Sequence, residues 1–332
     1  SDRHWFRFVS SVGNQMLGQL GEHMMNQLTG GNPFDLFHAL GSGGAIYTLL
    51  APYFVSYSIY SKNRSFARQA ANRFDVQAGG RLKVAHFTDT YNEINGVARM
   101  LQEELMMARK MGKDLTMLTC RTGEGTERKD AGLQYFDPLG VHSLPEYPEV
   151  KTAVPPLLDL MEFCYRKDFT HIHAATPGPM GLCAIAVKHV LQLPFYTTYH
   201  TSMPQYARYL TGDEAIEGLA WRYMLWFYDQ SDVIFSPSKS TAAELVSHGI
   251  RQDKIRIIPR GVDTSLFQPD QPKDLLVLPE GLKLLYVGRV SKEKNLPVLA
   301  KAFRKLARTN PNVTLVVVGD GPYLSEMKDT MK

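Results

Sequence analysis

The chain has 332 residues, 44% hydrophobic and 21% charged, with a net charge of +4, which suits a folded protein with a sizeable core and argues against disorder. A charge that mild, with no long basic run interleaved with aromatics, also argues against nucleic-acid binding and leaves an anionic ligand or membrane surface as partners. Three cysteines, Cys120, Cys164 and Cys183, fit neither a disulfide framework nor a zinc knuckle, and reduced packed thiols point to the cytoplasm.

Residues 1–80 read as a helical N-terminal extension. No Asp, Glu, Lys or Arg stands between Asp35 and Lys62, and 45-AIYTLLAPYFVSYSIY-60 is dense in apolar and aromatic residues. Its length meets the rule for a membrane span, but 41-GSGG-44, Pro52 and the many hydroxyl groups speak against one. Lys62, Arg64, Arg68 and Arg73 follow without an acid until Asp75. A helix packed on the protein and peripheral contact with an anionic leaflet through residues 36–73 therefore both stay open. The opening residues lack the apolar run of a signal peptide, and the first is not methionine, so the natural protein is expected to be longer.

From Arg81 the pattern changes to alternating strands and helices. Strands are expected at 83–89, 115–120, 170–176, 195–200, 232–236 and 254–259, with helices over 97–112, 180–192, 215–230 and 240–249. Strands joined by crossover helices form a parallel sheet with helices on both faces, so residues 81–262 are expected to be one Rossmann-like domain. A linker rich in Pro, Asp and Gln follows over 263–280. A second unit of the same kind opens at 281–332, with strands at 283–288 and 313–319 around a helix from Asn295 to about Arg308. Two strands are too few to cover a sheet independently, so that domain is expected to be incomplete in this chain.

In parallel sheets ligands bind beyond the carboxyl ends of the strands, which directs attention to four places. After the first strand, 89-DTYNEINGV-97 brings Asp89, Asn95 and Gly96 to the start of a helix. A glycine there lets backbone N–H groups approach a phosphate, though Asn95-Gly96 also suits an ordinary left-handed turn. His200 ends the strand 195-FYTTYH-200, where a neutral imidazole serves a sugar hydroxyl or a leaving oxygen, or is simply satisfied within a loop. His171 and His173 share one face of their strand, and no Asp, Glu or Cys near them in sequence completes a metal ligand set. Finally, 284-LLYVGRVSKEKN-295 ends a strand on Gly288 and carries Arg289 and Lys294 into the next helix. That is a planar fork and a mobile cation suited to phosphate oxygens, set against the commoner case of two solvated surface cations.

Five stretches in order, 86-HFTDTYNEINGVARML-101, 199-YHTSMPQYARYL-210, 260-RGVDTSLFQP-269, 286-YVGRVSKEKNL-296 and 318-VGDGPY-323, resemble the retaining glycosyltransferases of family 4, over about residues 82–332. The likeness is greatest to members that glycosylate lipids or build α-mannosyl glycans. The resemblance implies the GT-B fold, two Rossmann-like domains facing across a cleft, and transfer of a sugar from a nucleotide-sugar donor to a glycan or lipid acceptor with retention. It implies that Gly96, Arg289 and Lys294 bind the donor diphosphate and that His200 contacts the donor sugar. Asn95, Asp89 and His173 are additional cleft candidates. No metal and no cofactor beyond the nucleotide-sugar are implied, because cations and helix termini neutralise the leaving group. The paired-glutamate motif of the family does not occur before Lys332. The alternatives are another GT-B enzyme, a sugar-nucleotide epimerase or phosphorylase, and a non-enzymatic transferase-like scaffold for a membrane or partner.

Overall fold

The computed structural model describes residues 8–16, 18–19, 51–59, 61, 66, 70, 73, 81–123, 127–144, 147–200, 202–268 and 279–331. The chain divides into two units: one runs up to Ser202 and resumes over Ala220–Arg260, the other takes Met203–Leu219 and the chain from Gly261.

The first unit is built on a seven-stranded sheet in the order β3-β2-β1-β6-β7-β8-β9, every neighbouring pair parallel. Its strands are β1 (Lys83–Phe87), β2 (Asp114–Cys120), β3 (Leu133–Phe136), β6 (His171–Ala174), β7 (Phe195–Thr198), β8 (Val233–Ser236) and β9 (Ile255–Ile257). An antiparallel hairpin, β4 (Gly140–Leu144) and β5 (Tyr147–Val154), stands apart from it. The helices are α1 (Gly96–Lys110), α2 (Leu157–Lys167), α3 (Pro179–Leu191), α5 (Glu214–Asp229, which begins among residues of the second unit) and α6 (Lys239–Ser247). Ala85 and Phe87 of β1 join Leu158, Met161, Ala184 and Phe227 in the main core, whereas Met117 of β2 packs with Leu101 and Leu105 of α1 in a separate cluster. Both faces of the sheet are thus covered, as an all-parallel sheet requires. Strand order reverses direction between β1 and β6, and at such a switch point the two following loops diverge and leave a crevice for a ligand.

Local chemistry explains both ends of the two helices that begin at that crevice. Asn95 caps α1, its Oδ1 accepting from the N–H groups of Val97 at 3.0 Å and Ala98 at 2.8 Å. Arg109 and Lys110 complement the dipole in the last turn. Pro179 opens α3 and Gln192 closes it in the left-handed region at φ 53°.

Sequence periodicity located every long helix and central strand but missed β3, the β4–β5 hairpin, α2, and the helices α4 (Met203–Thr211) and α8 (Leu324–Met331). The hairpin is polar and interrupted by prolines. In α2, 157-LLDLMEFCYRK-167, five residues are buried, so its apolar stripe is too wide for a simple amphipathic pattern. The first strand ends at Phe87, which places Asp89 in the loop rather than on the strand.

The second unit carries a parallel pair, β10 (Leu282–Val287) and β11 (Val313–Val318), with α7 (Leu296–Thr309) and α8. Val290, Leu296, Tyr323 and Met327 form its core.

Helical residues of the extension pack on the first unit. Val9, Met16, Phe54 and Tyr57 lie against its core, and the Tyr57 and Tyr165 rings meet edge to face at 5.1 Å. Asn14 donates to Asp159 of α2 at 2.8 Å. Among the described residues no helix is long and apolar enough to cross a membrane. Lys62, Arg64 and Arg68, on which surface contact was expected to depend, lie outside the described residues.

Candidate active site

Gly96 is the first residue of α1, at the crevice end of the sheet. Its φ is ordinary, and a Cβ built on it would meet nothing closer than Arg260 Nη1 at 3.9 Å. Neither backbone strain nor packing demands glycine here, so the left-handed turn is not the explanation. The residue keeps an open approach to a helix N-terminus lined by a guanidinium. Asn95 is committed to the cap and to Thr90, whose Oγ1 accepts from Asn95 Nδ2 at 2.8 Å and donates to Glu93 at 2.7 Å.

Asp89 is occupied within the fold. Its Oδ1 accepts from the N–H of Met180 at 2.8 Å and its Oδ2 from Thr176 at 2.6 Å, so it caps α3. A Cβ at Gly178 would collide with this carboxylate. Burial pushes the carboxyl up to about 6, against the opposing pull of its hydrogen bonds.

His200 follows β7, and its backbone carbonyl accepts from Arg260 Nη2 at 3.2 Å. Its Nε2 is buried with no hydrogen-bond partner. Burial, then the charges of His86 and Arg260, bring the imidazole down to about 4, so it is neutral at pH 7. His173 shares its strand face with His171, as the alternation indicates. Its Nε2 pairs with Thr198 Oγ1 at 2.8 Å, and burial followed by the charges of His86 and His200 holds it well below the usual histidine range.

Two residues near His173 escaped the sequence reading. His86 of β1 is its register partner across the switch point, and the rings stack at 3.9 Å and 8°. Glu104 of α1 lies 3.6 Å from His86 Nδ1. The donor atoms of His86, Glu104 and His173 lie within 4.8 Å of one another. Nearly parallel rings, however, aim their in-plane lone pairs along parallel planes rather than at one ion. Nothing adjacent in sequence signals this cluster, because His86 and His173 come from distant strands.

In the second unit Arg289 and Lys294 are exposed and flank the turn after β10. That turn is built backbone on backbone. Gly288, Gly319 and Gly321 take positive φ, and a Cβ at Gly319 or Gly321 would strike the carbonyls of Gly288 or Val290. Val290 N–H donates to Asp320 O at 2.8 Å, and Tyr323 N–H donates to Val290 O at 3.0 Å. The glycines of 318-VGDGPY-323 thus hold the loop that presents Arg289.

The family model for Glycosyltransferase Family 4 matches residues 94–266, and that for Glycosyl transferases group 1 matches residues 267–332. The chain belongs to glycosyltransferase family 4. It is 26% identical over 261 residues to the alpha-monoglucosyldiacylglycerol synthase of Streptococcus pneumoniae, covering 75% of this chain and 58% of that protein. It is 26% identical over 246 residues to the sulfoquinovosyl transferase SQD2 of Arabidopsis thaliana, covering 71% of this chain and 46% of that protein. The chain therefore spans about half the length of the curated relatives it matches. The crystal structure of Anabaena HepE in complex with UDP and glucose is similar with a TM-score of 0.55 at 16% identity, over 76% of this chain and 66% of that one. That likeness shows the fold, which is GT-B.

Proposed function

We propose that this chain forms part of an enzyme that moves a sugar from a nucleotide-sugar to an acceptor hydroxyl, with retention at the anomeric carbon. The observation that supports it most is Gly96, a glycine that neither its φ nor its neighbours require, opening the N-terminus of α1 beside Arg260, whose guanidinium also donates to the His200 carbonyl. On this reading Gly96 leaves room for a diphosphate, and the guanidinium of Arg289 and the ammonium of Lys294 neutralise it as it departs. His200, a neutral donor or acceptor, contacts the transferring sugar. No side chain is assigned as a nucleophile, so the acceptor attacks on the face from which the diphosphate leaves. The reaction needs no metal on this account. The acceptor is a lipid or glycan hydroxyl, a class suggested by the relative named for a glucosylated diacylglycerol.

Calorimetry of the full protein with nucleoside diphosphates tests the donor assignment, and mass spectrometry of products from a panel of nucleotide-sugars with lipid extracts tests transfer. Absence of both diphosphate binding and glycosylated product would refute the reading and favour a non-enzymatic scaffold.

A further inference from the structure

Loops at the carboxyl ends of β1, β7 and β9 meet at one side chain to which the proposed transfer gives no role. Arg260 follows β9 and ends the first unit. Its Nη2 donates to the backbone carbonyl of His200, after β7, at 3.2 Å. Its Nη1 lies 3.9 Å from where a Cβ on Gly96, after β1, would stand. All three residues belong to the first unit.

The charges around that guanidinium are unbalanced. A helix N-terminus carries partial positive charge, so a cation set beside it is unfavourable unless a negative group joins them. The fold supplies no such group. The first turn of α1 contains no acid. Glu93, just before the helix, is taken up by the Thr90 hydroxyl at 2.7 Å and the Tyr91 N–H at 2.8 Å. Among the described residues Arg260 has no carboxylate partner. Asn95 satisfies the N–H groups of Val97 and Ala98, whereas the Gly96 N–H has no acceptor among the described residues. A planar fork with one arm fixed on a carbonyl holds its other arm in a defined direction, and the Gly96 N–H adds a second donor beside it. An oxyanion between the two satisfies both and removes the charge imbalance.

We propose that Arg260 is a binding and positioning residue, with one amino group on a phosphate oxygen of the nucleotide-sugar donor and the other on the backbone that carries His200. The identity of the anion rests on the function proposed above. Because one rigid guanidinium serves both contacts, the placement of His200 depends on the same side chain that holds the phosphate. Lysine, a single point charge, cannot serve both.

Calorimetry of the full-length protein with UDP and GDP, together with turnover and urea unfolding, tests the assignment. Arg260→Gln should weaken binding of whichever diphosphate the wild type takes by roughly tenfold or more, the loss of one charge-assisted hydrogen bond. Arg260→Lys keeps the charge, so its turnover should fall much further than its diphosphate affinity. In the wild type the bound diphosphate should protect Arg260 from phenylglyoxal, read by mass spectrometry of its peptide; this measurement needs no folded variant. Equal modification with and without diphosphate would overturn the proposal, as would wild-type affinity in a folded Arg260→Gln protein. If Arg289→Ala still weakens binding in that case, the donor site stands and Arg260 alone is excluded from it. A wild type that binds neither UDP nor GDP would defeat both. Unaltered turnover in Arg260→Lys would refute the positioning of His200, and a lower unfolding midpoint with undiminished affinity would mark a purely structural clamp.

Discussion

Replacing Asp89 with asparagine should flatten part of the pH dependence of stability. The Asp89 carboxyl is raised from 3.8 to about 6 in the folded protein, so the folded state binds this proton more tightly than the unfolded chain does. Its contribution to stability is fully present below 3.8 and is lost as pH rises through 6. A displacement of that size corresponds to about 3 kcal/mol in total, most of it falling between pH 4 and 7. Asparagine keeps an acceptor for the Met180 N–H and an amide for the Thr176 hydroxyl, but cannot ionise. The unfolding free energy of Asp89→Asn relative to wild type should therefore rise with pH across this window, by roughly 2–3 kcal/mol. His173 and His200 act in the opposite sense, since their depressed folded values make stability fall as pH drops below 6.5. Both proteins share those histidines, so their effect cancels in the difference. Urea unfolding at a series of pH values, followed by the fluorescence of Trp221 and Trp226 on α5, reads the unit that contains Asp89. A pH-independent difference between the two proteins would show that Asp89 is not desolvated as described. Asp89→Ala provides the contrast: with both acceptors gone, α3 loses its cap and stability should fall at every pH, by about 1–2 kcal/mol.

Gly96→Ala should leave the melting temperature unchanged or slightly higher, because the Cβ has room and alanine favours a helix. Nucleoside diphosphate affinity measured by calorimetry should nevertheless fall; equal affinity would remove Gly96 from the binding site. Arg289→Ala and Lys294→Ala should each weaken the same binding by about 1.5–3 kcal/mol, the value of a lost charge-assisted hydrogen bond, and unchanged titrations in both would leave them as surface cations. His200→Ala should cut turnover strongly while sparing nucleoside diphosphate affinity, since that ligand lacks the sugar; parallel losses in both assays would indicate a folding role. Tyr57→Ala should destabilise the first unit by about 2 kcal/mol if its ring is an aromatic core contact, checked by the same urea titration, whereas an unaltered midpoint would mean that the extension is only lightly attached.

Much of this protein is legible in its sequence. Alternation of buried strands such as 83-KVAHF-87 with amphipathic helices determined a parallel, doubly covered sheet, because crossover connections allow few other arrangements. Glycines at strand ends marked Gly96 and the turn at Gly288, since backbone approach and positive φ are local properties. The polar hairpin at 140–154 and the broadly apolar α2 escaped because neither has a single clean period. The histidine cluster escaped for a different reason. The carboxylate of this cluster is no sequence neighbour of His173, and only the pairing of β1 with β6 and the packing of α1 on the sheet bring His86 and Glu104 beside it. The same holds for Asp89, which stands next to a candidate phosphate loop in the chain but caps α3, 91 residues away. Local chemistry is written in short spacings that any window of the chain contains. Long-range pairing depends on register and burial over the whole sheet, and so the tertiary structure alone decided which charges face one another.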